Sequence, residues 1–243
     1  MMPDTAHLLK TCDATWPAAS TRRLGPWLIR EGQGGGQRVS ATTALAAPVE
    51  RDIASAEDAM QALGQPRLFR IHAGDDALDA ALAARGYAVV DPVTLWVAPA
   101  SRLATERAPR VTVFTVWEPL AIQIDIWAAA GIGPGRIAVM HRAPQPKTTL
   151  MGRINDHPGG TAFVAAHDGV AMIHALEVLA HQRRHGMARW FLREAAFWAR
   201  DNAATHVAAI CTRANAGANA LYASLGMEPV GQYHYRKHRE DMT

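Results

Sequence analysis

The sequence has few of the features that would place a protein outside the ordinary globular class. Its 2 cysteines, Cys12 and Cys211, lie in different parts of the chain, which argues against a disulfide framework. No apolar run is long enough to span a bilayer. The first residues carry Asp4, His7 and Asp13 and lack a basic start followed by an apolar block, so we expect no secretion signal and a cytoplasmic protein.

Long blocks of like charge are also lacking. The chain has 25 Lys and Arg against 22 Asp and Glu, a net charge of +3, and the arginines are spread along its length. This mild excess suits an anionic small ligand and argues against nucleic acid and membrane as partners. At 243 residues, the chain is long enough for one large domain or two small ones.

Apolar periodicity predicts alternating helices and strands, and therefore an α/β fold with a mixed central sheet flanked by helices. The predicted helices cover 7–16, 55–63, 75–85, 120–130, a stripe over 191–199, and 215–225; the predicted strands cover 25–30, 37–45, 67–72, 87–97, 111–117, 161–166, 206–211 and 229–235. The segment 99–109 is interpreted as a linker, and 136–154 as one helix and a loop.

One stretch is typical of an anion site. A β-compatible run beginning at Ala171 breaks into Gln182-Arg-Arg-His-Gly-Met-Ala188, here called the basic turn, before a helix begins. The first N–H groups of a helix are unpaired and its dipole is positive there, so two arginines beside them suggest a diphosphate. A zinc site at His181 and His185 is the alternative, but Gln182 stands where the zinc motif needs glutamate, and flanking arginines would repel a dication.

The spacing Arg183-x-x-Gly186-x-Ala188 resembles the Q/R-x-x-G-x-G/A signature of the GNAT N-acetyltransferase superfamily. A second segment, CTRANAGANALYASLGMEPV at 211–230, is similar to the family pattern N-x-x-A-x-x-L-Y-x-x-x-G-F. Met227 replaces the aromatic residue of that pattern. The two motifs have the family's order and separation, and the resemblance covers about 111–235.

The resemblance implies a GNAT-type fold that binds acetyl-CoA, without a metal, and transfers acetyl directly to the primary amine of a small molecule or peptide in a ternary complex. Backbone groups of Val178 and Leu179 would pair with pantetheine, as an added strand does. The implied cofactor contacts are completed by Arg183, Arg184, His185, Gly186, Met187, Ala188, Arg189, Asn215 and Ala218. A catalytically idle module of this type, which binds acyl-CoA or serves as an interaction domain, is the alternative function.

The resemblance assigns Tyr222 as the general acid that protonates the departing thiolate. The base stays open among His174, Glu177 and a water chain. His174 lies nine residues before Arg183, where many family members carry an acid or histidine. Glu177 is expected nearer the thioester, but strand alternation puts it on the opposite face from His174 unless a bulge intervenes.

The first half repeats the layout of the second. Segment 66–90 has the strand, helix and strand order of 206–230, with Leu82 where Tyr222 stands and Asp75 where Asn215 stands. We therefore predict a tandem fold, with a degenerate copy at 1–108 and a catalytic copy at 109–243; a plain α/β cap domain is the alternative for the first half. Only one strand-sized segment lies between 167–169 and the basic turn, so we expect a strand pair usual in the family to be missing from the second half or supplied by the first. Trp127, His141 and Arg142 are acceptor-pocket candidates, and a homodimer is one expectation for the oligomeric state.

Overall fold

The computed structural model describes residues 1–242, in which helices and strands alternate. The helices are α1 (Thr5–Thr15), α2 (Gln37–Ser40), α3 (Glu50–Ala62), α4 (Asp76–Ala84), α5 (Ala100–Leu103), α6 (Ala121–Ala129), α7 (Pro134–Arg142), α8 (Met187–Asp201) and α9 (Ala216–Ser224). The strands are β1 (Ser20–Leu24), β2 (Trp27–Glu31), β3 (Thr42–Ala44), β4 (Leu68–His72), β5 (Tyr87–Pro99), β6 (Val113–Val116), β7 (Lys147–Ile154), β8 (His157–His167), β9 (Val170–Val178), β10 (His206–Thr212) and β11 (Glu228–His238).

The chain forms two compact units, and neither is one continuous segment. Unit 1 comprises 1–17, 95–211 and 215–231, and unit 2 comprises 18–94, 212–214 and 232–242. The predicted boundary at 108/109 therefore does not coincide with the division. Two causes are visible: α1 packs on β8 and β9 of unit 1, and the end of β11 pairs with β4 in unit 2, Tyr233 opposite His72.

Unit 1 contains a mixed sheet in the order β5-β10-β9-β8-β7-β6. Strands β9 and β10 are parallel, while β6 to β9 form an antiparallel series. One face of this sheet is covered by the buried stripe of α8, which includes Phe191, Leu192 and Ala195. This stripe is the one predicted from three- and four-residue spacing.

Unit 2 contains the sheet order β1-β2-β3-β4-β11. Its core packs Ile53 and Met60 of α3 and Leu82 of α4 against Trp27 and Phe69 of the sheet. The predicted strand 37–45 is instead the short helix α2 followed by β3. Antiparallel pairing of β2 with β3 still holds, Trp27 being opposite Ala44.

Two predictions for segments near the middle of the chain are wrong. Segment 147–154, predicted as loop, is strand β7, a largely buried run that follows Pro144 and Pro146 and pairs along its length with β8. No strand pair is therefore missing from the second half. The predicted linker 99–109 is hydrogen-bonded to α8. Glu194 of α8 accepts from Ala108 N–H at 2.7 Å and from Arg107 Nη1 at 3.0 Å. None of the described helices has the length and apolarity that a membrane span requires.

Candidate active site

Strands β9 and β10 separate partway along their length. Their parallel pairing runs from Val170 opposite His206 to Ile173 opposite Ala209, and both strands continue beyond it, to Val178 and Thr212. Residues 174–178 of β9 therefore lie at a gap in unit 1. An extended ligand can add to a strand in such a gap by main-chain hydrogen bonds.

A β-bulge lies on β9 at the start of this gap. Ala175 has a positive φ of 49°, and the register against β8 shifts there: His174 is opposite Phe163 while Glu177 is opposite Thr161. Residues opposite each other in an antiparallel pair share a face, and Phe163 and Thr161 are two apart, so His174 and Glu177 share one face. The bulge is the condition under which Glu177 can face the same side as His174.

The bulge is held by a tryptophan from α6. Trp127 is fully buried and its Nε1 donates to the carbonyl of Ala175 at 2.7 Å. A residue with a side chain is uncommon at positive φ, and such a conformation persists when its surroundings fix it. Trp127, an acceptor-pocket candidate from sequence, thus has a positioning role for Glu177.

Glu177 is a partly buried carboxyl near two arginines. Burial raises the pKa of this carboxyl, and the positive charges of Arg183 and Arg136 oppose part of that rise. Neither arginine lies within ion-pair distance among the described residues, so the carboxylate is close to two cations without being tied to them. A partly buried carboxylate of this kind can accept a proton from an ammonium.

His174 is buried, with 4% of its surface exposed. Its Nε2 lies 2.9 Å from Thr15 Oγ1, and that hydroxyl also donates to the carbonyl of Thr11 at 2.8 Å. Because a hydroxyl has one proton to donate, Nε2 of His174 is the donor to Thr15. A neutral His174 therefore has its basic lone pair on Nδ1, and the ring stacks 5.1 Å from Trp16. His174 is thus more deeply buried than Glu177, whose surface is partly exposed.

The basic turn begins α8 with an open N-terminus. Gly186 has a left-handed φ of 81°, no side chain caps the helix, and its first turn contains no acid. A Cβ at Gly186 would meet nothing closer than Trp190 Nε1 at 3.9 Å, so there is space beside the glycine that precedes the helix. Arg183, Arg184 and Arg189 are exposed and form no ion pair among the described residues. Both observations fit an anionic group.

Glycines in the sheet allow α8 to approach closely. A Cβ at Gly152 of β7 would come within 2.4 Å of Met187 Sδ and 2.7 Å of Phe191 Cζ. A Cβ at Gly160 of β8 would come within 2.4 Å of the Glu177 carbonyl. The first turn of α8 is thus seated against β7 and β8 at positions where any side chain would displace it.

The predicted pantetheine contacts need one correction. Both backbone groups of Leu179 are already used, its N–H by the Gly159 carbonyl (3.0 Å) and its carbonyl by Gln182 N–H (2.8 Å). The Val178 carbonyl accepts from Arg183 Nε at 3.1 Å. A side-chain donor can rotate away, so Val178 can still serve an added strand, whereas Leu179 is held by backbone closure of the turn.

Tyr222 lies in the buried cluster of unit 1 that also contains Met187 and is packed by Val178. It is 7% exposed, and its ring lies 6.0 Å from that of Trp96. Asn215 caps α9, since its Oδ1 accepts from Ala218 N–H at 3.0 Å. This hydrogen bond accounts for the three-residue spacing of Asn215 and Ala218 in the second sequence motif.

The remaining predicted site residues lie around α7. His141 is exposed and its ring lies 5.3 Å from Trp117, whereas the Nε and Nη2 atoms of Arg142 are buried without a hydrogen-bond partner among the described residues. Sequence reasoning missed Arg136, the cation near Glu177, because an arginine two residues after a helix-starting proline has no distinguishing pattern. No cluster of three metal-ligating residues occurs within 1–242, and His185 Nδ1 lies 3.4 Å from the Gln182 carbonyl.

Comparison with known proteins bears on this arrangement. Residues 120–227 match the model of the acetyltransferase (GNAT) family, so the chain contains a domain of that family. The match spans the bulge, the basic turn and the helix that carries Tyr222.

The likeness to particular proteins extends over nearly the whole chain. An uncharacterized N-acetyltransferase, YobR, from Bacillus subtilis (strain 168) is 28% identical over 97% of this chain and 99% of its own. A GCN5-related N-acetyltransferase from Kribbella flavida has a TM-score of 0.73 at 19% identity, covering 98% of this chain and 97% of that one. A tandem GNAT protein from the clavulanic acid biosynthesis pathway, without AcCoA, has a TM-score of 0.56 at 14% identity, covering 81% and 74%. At these identities the two structures support the fold.

Proposed function

We propose that the protein is an acetyl-CoA-dependent N-acetyltransferase that acetylates a primary amine by direct attack in a ternary complex. The observation that carries the proposal is the bulge at Ala175, which places a carboxyl of raised pKa, Glu177, in the gap of a GNAT-family domain. The basic turn, with two arginines that form no ion pair among the described residues and a helix start without a side-chain cap, suits the diphosphate of the cofactor. The cofactor supplies an acetyl group activated as a thioester.

Each residue then has a distinct task. The first N–H groups of α8, with Arg183 and Arg184, bind the diphosphate, and the β9 backbone around Val178 aligns the pantetheine arm. Glu177 takes the proton of the substrate ammonium, so that the nitrogen lone pair can form the new N–C bond. Tyr222 gives its proton to the sulfur as the C–S bond breaks. The products are an acetamide and free coenzyme thiol.

The tandem arrangement is part of the proposal. The element order α3-β4-α4-β5 occurs again as α8-β10-α9-β11. The final strand of each series is divided between the units. Strand β5 belongs to unit 2 up to Thr94 and to unit 1 from Leu95, and β11 belongs to unit 1 up to Gly231 and to unit 2 from Gln232. The likeness to a solved tandem GNAT protein supports this interpretation. Unit 2 would then be the degenerate copy.

The experiment is to mix the protein with acetyl-CoA and a panel of primary amines and to follow release of the coenzyme thiol. We expect turnover with at least one amine and a Tyr222→Phe variant that turns over about a hundredfold more slowly while binding acetyl-CoA with unchanged affinity. Tight binding of acetyl-CoA without release of thiol for any amine would favour the idle acyl-CoA-binding module instead.

A further inference from the structure

Unit 2 contains a cavity of about 480 Å³ between the start of α3 and the length of α4. Its apolar wall includes Val49 and Ile53 on one side and Leu78 and Ala81 on the other. This volume lies within the range of small-molecule sites, which are mostly apolar with a few polar groups. A compact hydrocarbon body therefore fits it by size and by lining.

The charged groups of the cavity are mainly acidic. Glu50 and Asp75 line it, and Asp75 uses Oδ2 to accept from His72 N–H at 2.8 Å. The one cation among the described lining residues, Arg85, is ion-paired with Glu57 at 3.0 Å and lies 3.8 Å from Glu50. The lining therefore has two carboxylates, Glu50 and Asp75, and one guanidinium that is already neutralised by Glu57, so its net negative charge favours a cationic occupant.

Acidic side chains at the two helix starts that line the cavity disfavour a diphosphate. At the start of α3, Asp52 Oδ2 accepts from Val49 N–H at 2.9 Å, and Glu50 adds a second negative charge in the same turn. The first turn of α4 contains Asp76 and Asp79. An anionic ligand would meet these carboxylates beside both helix starts.

We propose that the cavity of unit 2 binds a small organic cation with an apolar body, such as a protonated primary alkylamine. The ammonium lies at Asp75 and Glu50, and the alkyl chain lies against Ile53 and Leu78. The inference does not depend on the acetyl transfer proposed for unit 1, since it concerns binding at a separate site and needs no catalysis.

The test is titration calorimetry on the full chain with hexylamine, hexanol and hexanoate, which share an alkyl body and differ in charge. We expect hexylamine, protonated at neutral pH, to bind about fivefold more tightly than hexanol, and hexanoate to bind more weakly than either. Hexanoate binding as tightly as hexylamine would overturn the proposal.

Matched variants locate the site. Asp75→Asn keeps an oxygen to accept from His72 and removes the charge, so it should lower hexylamine affinity about fivefold, whereas the neighbouring Asp76→Asn, exposed and outside the lining, should leave it unchanged. Ala77→Trp, at an exposed lining position, should abolish hexylamine binding and preserve acetyl-CoA binding. Hexylamine binding that survives Ala77→Trp lies elsewhere and overturns the proposal.

Discussion

The N-termini of α8 and α3 differ in the charge of the side chains beside the positive end of the helix dipole. In unit 1, α8 begins at a left-handed glycine, without a capping side chain, among arginines that have no ion pair in the described chain. In unit 2, α3 begins with Glu50 and Asp52, and Asp52 accepts from the N–H of Val49, the residue before the helix. A helix start among cations favours an anion, and a helix start among carboxylates disfavours one.

The two units also differ in how they use arginine. Three arginines of unit 2 form ion pairs with acids: Arg236 with Asp79 (2.7 Å), Arg67 with Asp241 (2.9 Å) and Arg85 with Glu57 (3.0 Å). The basic turn of unit 1 leaves its guanidinium groups exposed to solvent and without such partners among the described residues. The difference teaches that a count of arginines does not predict anion binding; what matters is whether the local acids have already neutralised them.

The largest expected effect comes from making the basic turn resemble the start of α3. Arg183→Glu with Arg184→Glu should weaken acetyl-CoA binding about a hundredfold, because each lost charge-assisted contact costs about 1.5 kcal/mol or more. Calorimetry measures the Kd. Arg22→Glu with Arg23→Glu, two exposed strand residues of unit 2, is the control of equal charge change and should leave the Kd unaltered. Equal losses in both double variants would mean that overall charge, and not the turn, governs affinity.

Glu177→Gln tests the base. Deprotonated Glu177 is the active form, so kcat/KM should fall as pH drops through a pKa above the ordinary glutamate value of about 4.3, the direction that burial imposes. The kcat of the Glu177→Gln variant should be about a hundredfold lower, and its kcat/KM should no longer fall as the pH drops through this range, which we call the acidic limb of the pH profile.

His174→Gln is the matched comparison for the base and should keep the acidic limb in place. If the pH profile instead has its limb near the histidine pKa of about 6.5 and the His174 variant removes it, Glu177 is not the base.

Gly152→Ala tests the close packing of α8 on β7, which fixes the position of the helix start. The added Cβ would lie 2.4 Å from Met187 Sδ, so we expect the free energy of unfolding to fall by about 1–3 kcal/mol and acetyl-CoA binding to weaken. Gly133→Ala, where nothing lies within 4 Å, is the control and should cost less than about 0.5 kcal/mol. Similar unfolding curves for the two variants would remove close packing of α8 as an explanation.

The smallest effect concerns the ion pairs of unit 2. The hydrogen bond from Arg236 lowers the pKa of Asp79 to about 2 in the folded chain, below the unfolded value of about 3.9. The stabilisation is therefore fully present above pH ~4 and is lost as the pH falls toward 2. Denaturant titrations across this window should show a shallower pH dependence for Asp79→Asn than for Asp76→Asn; parallel curves would contradict the assignment.

The sequence predicted the parts of the site that follow from local rules. Gly186 and the arginines before α8 were predicted because a helix start needs particular residues at fixed positions. Asn215 and Ala218 were predicted as cofactor contacts from the family resemblance, and their hydrogen bond at the start of α9 was found only in the structure. The α/β class and the acetyltransferase family of residues 120–227 also followed from pattern and motif, as the comparisons confirm.

What could not be predicted depends on contacts distant in sequence. The bulge at Ala175 is fixed by Trp127, 48 residues earlier, and nothing in the local letters of β9 marks it. The membership of α1 in unit 1 and of the end of β11 in unit 2 comes from packing and strand pairing between segments far apart in the chain. Strand β7 was missed because flanking prolines indicated a loop, while its pairing with β8 determines its conformation.

The most direct test of the account compares acetyl-CoA with S-acetylpantetheine, which lacks the diphosphate and nucleotide, on the wild type and the Arg183→Glu, Arg184→Glu variant. If the basic turn binds the diphosphate, the double substitution lowers acetyl-CoA affinity about a hundredfold and leaves S-acetylpantetheine affinity within about twofold. An equal loss for both ligands, or a loss for neither, would contradict the placement of the diphosphate at the start of α8.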